Sequence, residues 1–562
     1  MKQSENFHLG LCLAGAISAG AYTAGVLDFL IEALDEWEKR KKKGDPKSVP
    51  QHQVKLSVIG GASAGGMTGM ISAFSLQKEF DPVHLSQPDL YQPRPDNPLY
   101  QAWVDQLEEE LSPGQLSMFD LLLDPGDLDK NMAQSLLNST FVRKIADKIL
   151  DAQVETSISR GFVADELKIF STLTNLKGLE YSLDFKGDKL ENDPYRIYDH
   201  RDFACFSLGS RVFPGWERMD FTHPEMLERY KLAAIGTGAF PIGLSPVKMA
   251  RNGKLMQELP WLSHVSAGGG NRFPTDWYES TFVDGGMMNN EPFEKVRDAL
   301  LQLLGYEKEH SVQDYSKFES TVLMVDPFPS TTNFIQPGSS LLGYAGNVLS
   351  ALMNQARIKP EHLINSLTSE MAGQYVISPI RYQRVNGEEK KIEGAKAIAC
   401  GSLDGFGGFL SKKFRIHDFF LGRANCEKFL RDHFTVPLDE KNPIFERGYA
   451  EISAELKPHF MSTTDKKPGV QIIPLFSERK TQPEMPYWEN EEQWPTLSIH
   501  ELERYRPLLK KRIEQVILKS VSLNRLDYIK LWAGAKIFLN GKISSTLMQA
   551  MNHSLNGHKQ LN

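Results

Sequence analysis

Cysteine is scarce. The 562 residues hold four, Cys12, Cys205, Cys400 and Cys426, and none pair up in a C-x-x-C spacing. This argues against a zinc site and a disulfide framework, and a reducing cytoplasm is the simplest compartment. No Cys/His cluster with ligand spacing occurs either, so neither metal nor cofactor is expected. There is no basic excess: the formal net charge is −7. Nucleic acid is therefore a poor partner, and a global electrostatic grip on anionic membranes is not expected. No later run of about twenty apolar residues follows the N-terminal stretch, so no transmembrane helix is expected. Repeats and low-complexity tracts are absent.

What is present is a chain 41% hydrophobic, enough for at least one large core. Residues 7–34 are apolar enough to pass for an export signal. However, only Lys2 supplies positive charge ahead of them, and Gly15, Gly20 and Gly25 interrupt them. A strand, a turn of small residues and a helix over about 21–43 fit better. That helix ends on Lys39-Arg40-Lys41-Lys42-Lys43, where cations suit the carbonyl end. Further on, the pattern predicts a strand over Val54–Ile59 and a helix over Met67–Lys78. Helical stretches are expected at about 98–111 and 130–152, strands in "ELKIFSTLTN", "STFVDGG" and "STVLMVD", and a long loop over 252–280. Strands alternating with helices predict an α/β fold with a mainly parallel sheet. Past about residue 335 helical segments dominate, with a Gly/Phe-rich passage at 399–430 and one late strand, "GVQIIPLF". The expected division is a catalytic α/β domain at 7–330 and a mostly helical region at 331–562.

The chemistry centres on "VIGGASAGGMTG". Gly61-Ala62-Ser63-Ala64-Gly65 fits G-x-S-x-G, placed after a strand and before a helix. A serine hydroxyl needs a base to take its proton. A sharp strand-to-helix turn would expose it beside the helix N–H groups, and such a turn tolerates only tiny neighbours. A phosphate loop is the weaker reading, since no lysine follows the glycines. The partner is marked in "FVDGGMMNNEP", where Asp284 ends a strand and Gly285-Gly286 lets the backbone come close. Histidine candidates for a Ser-His-Asp arrangement are His310, His362 and His417. His417-Asp418 reads as a packed or capping pair.

Taken in order, these motifs resemble the patatin-like phospholipases. The resemblance rests on the Gly-rich turn near residue 15, Gly-Ala-Ser-Ala-Gly at 61–65, Asp-Gly-Gly at 284–286, "STLTNLKG" at 171–178 and "AAIGTGAFPIGLSP" at 233–246, and covers about residues 7–330. It implies a three-layer α/β/α fold and a Ser–Asp dyad without histidine, with Ser63 as nucleophile and Asp284 as general base. It also implies an oxyanion hole of backbone amides around Gly15, Ala16 and Ile17, helped by Ala64. The Gly-rich motif is degenerate here. Ala16 and Ile17 stand where the family has glycine, and Ala19 replaces a basic residue before Gly20. Any non-proline residue supplies an N–H, so the site is retained if residue 17 keeps the negative φ that isoleucine favours.

The implied substrate is a phospholipid or other acyl-ester lipid, met by a chain that is cytoplasmic or in transient contact with a membrane surface. The implied activity is phospholipase A- or lysophospholipase-like. Two other readings stand beside it: a Ser-His-Asp esterase or thioesterase, and a non-catalytic scaffold that binds partners through residues 335–562. Met67, Met70 and Phe74 either line an acyl pocket or pack the core. "NPLYQAWV" and "LSMFDLLL" form either a lid or a packed helical insert.

Overall fold

The computed structural model describes residues 5–85, 89–112, 115, 117–128, 132–150, 158–183, 195–262, 276–306, 315–329, 375–385, 388–462, 468–477, 484–488, 494–520 and 540–562. Strand β1 (Asn6–Leu13) lies at the centre of a large sheet, between β2 (Gln53–Gly61) and β8 (Ser320–Val325), and is parallel to both. Its near-unbroken apolar sequence follows from that position, because a central parallel strand is covered on both faces. Outward from β2 come β3 (Val163–Leu183), parallel to it, then β4 (Tyr195–Ser207), antiparallel, and the short β5 (Glu217–Arg218). β6 (Val247–Asn252) and β7 (Trp277–Asp284) form an antiparallel pair joined to the middle of β3, at Leu173–Asn175.

Side chains alternate between the two faces, and each face has its own core. Leu11, Leu13, Ile59, Ile169 and Leu323 pack with the helices on one side. Cys12, Val58, Phe170 and Val322 pack on the other, against Val296, Ala299 and Leu300. The first side carries α1 (Gly20–Lys43) and α2 (Ser63–Ser75), and the second carries a helix over Phe293–Leu304. This is the expected three-layer α/β/α arrangement with a mainly parallel central sheet. Residues 17–43 are long and apolar enough to cross a membrane by length and composition, but 83% of their most apolar window is buried inside the protein. Four cations, Arg40 to Lys43, close α1 as expected. All four cysteines are buried free thiols.

The boundary expected near residue 330 is not a break in packing. β9 (Tyr375–Ile377) extends the central sheet as a parallel neighbour of β8. The helix Lys412–Asp432 lies along α1. Contact there is backbone to backbone: a Cβ on Gly25 would sit 1.9 Å from the Phe419 carbonyl oxygen, and one on Gly422 would sit 2.1 Å from that of Tyr22. Arg423 joins the two helices by reaching Asp28 and Glu32 of α1, the first of them fully buried. The C-terminal region also holds six short strands among its described residues, including Gly469–Gln471 within "GVQIIPLF".

Candidate active site

Strand register brings the two site motifs together. Gly61, at the end of β2, pairs with Ser171 of β3, and two residues further along β3 Leu173 pairs with Asp284 of β7. Ser63 lies two residues past Gly61, so the serine and the aspartate meet at the same edge. The Ser63 hydroxyl donates to Asp284 Oδ2 at 2.6 Å. The other carboxylate oxygen, Oδ1, accepts the Gly286 N–H at 2.7 Å. The Asp284 main chain is held by the Ala239 carbonyl at its N–H (2.9 Å) and by the Thr174 hydroxyl at its carbonyl (2.8 Å).

Ser63 has φ +51°, left-handed backbone in a non-glycine residue, as a nucleophile elbow requires. Its N–H is taken by Thr237 Oγ1 at 3.0 Å. The helix begins at Ser63 itself, four residues before the expected start. Its first turn is made of small residues because α2 is drawn onto the end of β1: a Cβ on Gly65 would lie 2.3 Å from the Leu13 carbonyl oxygen. First-turn amides have no acceptor within their own helix, which leaves the Ala64 N–H available beside the nucleophile.

The Gly-rich turn departs from expectation in two ways. Ile17 has φ +50°, not the negative value predicted, so the turn takes a glycine-like conformation with isoleucine in it. The neighbouring hydroxyl explains how it is held. Ser18 donates to the Gly405 carbonyl and accepts the Gly408 N–H at 3.0 Å, while Ile17 packs 3.4 Å from where a Cβ on Gly405 would lie. The Gly15 N–H is committed to the Asn290 carbonyl at 3.3 Å, which removes it from the expected oxyanion donors. The negative φ at residue 17 on which the sequence reading made this turn depend is not met, so the Ala16 and Ile17 N–H groups are candidates only in the positive-φ shape that the Ser18 contacts hold.

A cleft of about 750 Å³, mouth included, opens at Ser63 and Asp284. Its lining is almost wholly apolar, which suits a lipid acyl chain or a similar apolar ligand. Asp284 is the only charged residue lining it among those described. Met67 and Ile71 of α2 face the cleft, whereas Met70 and Phe74 are core residues, so the two readings of that helix divide between its side chains. Ala102 and Trp103 of "NPLYQAWV" and Leu122 of "LSMFDLLL" also line it. Four phenylalanines complete the apolar wall in ring-to-ring contact: Phe240 to Phe406 (6.1 Å), Phe406 to Phe409 (5.9 Å) and Phe409 to Phe141 (6.2 Å). Two of the four come from the C-terminal region.

His417 is not in the cleft. It is buried against Trp494 and bonded to Asp418 at 2.7 Å, and Asp418 in turn accepts the Ala399 and Cys400 N–H groups. It is the packed, capping pair expected of it. His310 and His362 lie outside the described residues. Thr237, Thr174 and Asn290 were not singled out as site residues, although all lie inside motifs quoted from the sequence. Their signal was the small-residue setting, which does not say which hydroxyl faces the elbow.

A sheet of this order with a Ser–Asp pair at one edge defines a class of α/β acyl hydrolases, and comparison identifies the family. The patatin-like phospholipase family model matches residues 11–297. The chain belongs to the patatin-like phospholipase family, a family of lipid acyl hydrolases. It is similar to the uncharacterized protein y4iI of Sinorhizobium fredii (strain NBRC 101917 / NGR234), 32% identical over 561 residues that span 90% of this chain and 74% of that protein. Among solved structures, VipD from Legionella pneumophila aligns over 99% of this chain and 88% of its own, at 10% identity and a TM-score of 0.21.

Proposed function

We propose that the chain is a serine carboxylic-ester hydrolase that cleaves lipid acyl esters, phospholipase A- or lysophospholipase-like, through a Ser63–Asp284 dyad. The observation that carries this reading is the 2.6 Å hydrogen bond from the Ser63 hydroxyl to Asp284 at the apolar cleft. A free aspartate titrates at about 3.9 and is a weak base, so it must act at hydrogen-bond range, as this contact allows. Asp284 takes the serine proton as Oγ attacks the acyl carbonyl. The tetrahedral oxyanion is held by the amides of Ala16, Ile17 and Ala64. The leaving alkoxide takes the proton back as the C–O bond breaks, giving acyl-Ser63. Water then attacks with Asp284 again as base and releases the fatty acid.

A lipid surface is the proposed source of substrate, reached transiently from a reducing cytoplasm. Supporting it, the cleft-lining Phe240 and Leu244 flank Ile242, which is 64% exposed. Ile242 also has φ +66°, a conformation unfavourable for a β-branched residue. The Ile242 carbonyl accepts the N–H of Leu136, another exposed apolar residue, at 2.7 Å. The pair gives the cleft an apolar lip.

The test is lipid-class profiling of the purified chain beside Ser63→Ala, with fluorophosphonate labelling. Ester release and labelling that both vanish in a folded Ser63→Ala variant are expected. Undiminished turnover of every cleaved ester in that variant would refute the nucleophile, and no labelling of the parent would favour the scaffold reading.

A further inference from the structure

Ser63 and Asp284 sit on separate elements, the first opening α2 and the second ending β7. A third element touches both. The helix Pro224–Thr237 ends beside them. Its last residue, Thr237, accepts the Ser63 N–H at Oγ1 (3.0 Å), and two residues further on the Ala239 carbonyl accepts the Asp284 N–H (2.9 Å). One three-residue stretch therefore holds the main chain of both partners.

The stretch is itself fixed. The Gly238 and Ala239 N–H groups close tight turns on the Ile235 and Gly236 carbonyls, at 3.2 and 3.3 Å. Two turns back along the helix, the Tyr230 hydroxyl donates to the Met70 carbonyl of α2 at 2.7 Å, so this helix is tied to α2 at Met70 as well as at Ser63. Gly236 packs on the sheet, where a Cβ would lie 3.3 Å from Leu173 of β3 and 3.9 Å from Phe282 of β7. Thr237 is wholly buried.

The elbow needs such a support. Ser63 has φ +51°, which is costly for a residue with a side chain. Strain of this kind persists only where the surroundings over-determine it. The Ser63 N–H is the first amide of α2 and has no acceptor inside its own helix. Ala62, at the capping position, has no side chain that could accept it. The Thr237 hydroxyl supplies the missing acceptor from 174 residues away.

We propose that Thr237 is a positioning residue for ester hydrolysis: its hydroxyl holds the Ser63 main chain in the left-handed elbow and thereby keeps Oγ at hydrogen-bond range from Asp284. This rests on the reading of Ser63 and Asp284 as the reacting pair. Thr237 acts through the Ser63 amide and is not among the residues lining the cleft. Proton transfer requires the hydroxyl within hydrogen-bond reach of the base, and a misplacement of about 1 Å can cost about 10²-fold.

The experiment is steady-state hydrolysis of p-nitrophenyl butyrate by the full chain, as parent, Ser63→Ala, Thr237→Ser, Thr237→Val and Thr237→Ala. Thr237→Val puts a methyl where the oxygen was, and a methyl cannot approach the Ser63 nitrogen to 3.0 Å, so it pushes the elbow away. Thr237→Ala leaves a gap and an unpaired N–H. The two changes are sterically opposite and share the loss of the acceptor. Both should lower kcat by about 10–100-fold with KM within about threefold. Thr237→Ser, which keeps the acceptor, should retain at least about a third of parental kcat. Circular dichroism and melting check the fold. A folded Thr237→Val or Thr237→Ala with kcat within about threefold of the parent overturns the role, as does a loss carried by KM or a Thr237→Ser no better than Thr237→Ala. If neither Thr237→Val nor Thr237→Ala folds, Thr237 is a folding element and the positioning role is overturned. Parental turnover in Ser63→Ala would overturn the dyad and this role with it, whereas loss in Ser63→Ala beside full turnover in Thr237→Val overturns this role alone.

Discussion

Asp284→Asn tests the base directly, because the structure dictates how the asparagine must sit. Oδ1 of Asp284 accepts the Gly286 N–H at 2.7 Å, and Oδ2 accepts the Ser63 hydroxyl at 2.6 Å. An asparagine has one oxygen for these two donors. If its oxygen keeps Gly286, its NH₂ faces Ser63 and donates where an acceptor is needed. If it flips, the NH₂ meets the Gly286 N–H donor to donor, inside a buried site. Either way no base faces the serine. General-base catalysis contributes about 10²–10⁴-fold, roughly 3–5 kcal/mol of barrier. Turnover of a soluble short-chain ester should therefore fall by at least that range in Asp284→Asn. Ser63→Ala should fall at least as far, and the double variant should be little worse than either, since the two residues act as one unit. His417→Gln should cost less than about tenfold. Stopped assays on purified variants, with circular dichroism as the check on folding, read all four. A folded Asp284→Asn that keeps more than about a tenth of parental turnover, or a histidine change that costs orders of magnitude, would refute the dyad.

Two further outcomes follow from the packing. His52 is buried between Trp37, Phe445 and Tyr449 with one ring nitrogen on the Ile472 carbonyl, and burial holds its imidazole down at about 3. The unfolded chain takes up that proton below about 6.5 while the folded chain refuses it, so this contribution is complete above about 6.5 and is lost as pH falls toward 3, reaching about 2 kcal/mol near pH 5. His52→Gln should show a smaller drop in urea midpoint between pH 7.5 and pH 5 than the parent, and an unchanged drop would show that His52 is not the titrating group. Phe409→Ala should open the cleft wall at the C-terminal side and shift kcat/KM toward longer or bulkier acyl groups by about tenfold; unchanged chain-length selectivity in the folded variant would remove Phe409 from the acyl pocket.

Much of the fold was legible because its signals are local. Buried strands advertise themselves as apolar runs, and Ser63 and Asp284 stand out because tight turns admit only small neighbours. The failures have a common physical origin in distant contacts. Helical periodicity placed the start of α2 at Met67, since Ser63–Gly66 are too small to show an apolar stripe, yet close approach to β1 is what makes them the first turn. The expected helix at 98–111 is interrupted at Gln106, where nothing in local propensity forbids a regular turn. The C-terminal region looked like an appendage because its partners, Tyr22, Asp28 and Ser18, lie nearly four hundred residues away in sequence.

Ile17 shows why that distant contact matters to the chemistry. A left-handed residue with a side chain costs roughly 1–2 kcal/mol, and a β-branched one sits there only if something holds it. Glycine in the family's motif would avoid the penalty. Here the Gly405–Gly408 segment accepts from and donates to the Ser18 hydroxyl, two buried hydrogen bonds at about 1 kcal/mol each. Packing of Ile17 on Gly405 adds to them. These contributions match or exceed the strain, so the turn beside Ser63 keeps a glycine-like shape without glycine. The same segment continues into Phe406 and Phe409, which wall the cleft. In this chain the degenerate Gly-rich turn is held by a region outside the matched residues 11–297. The Gly-rich turn and the apolar cleft wall are thereby tied to one element, and a shift of that element would alter the backbone geometry at Ile17 and the width of the cleft together.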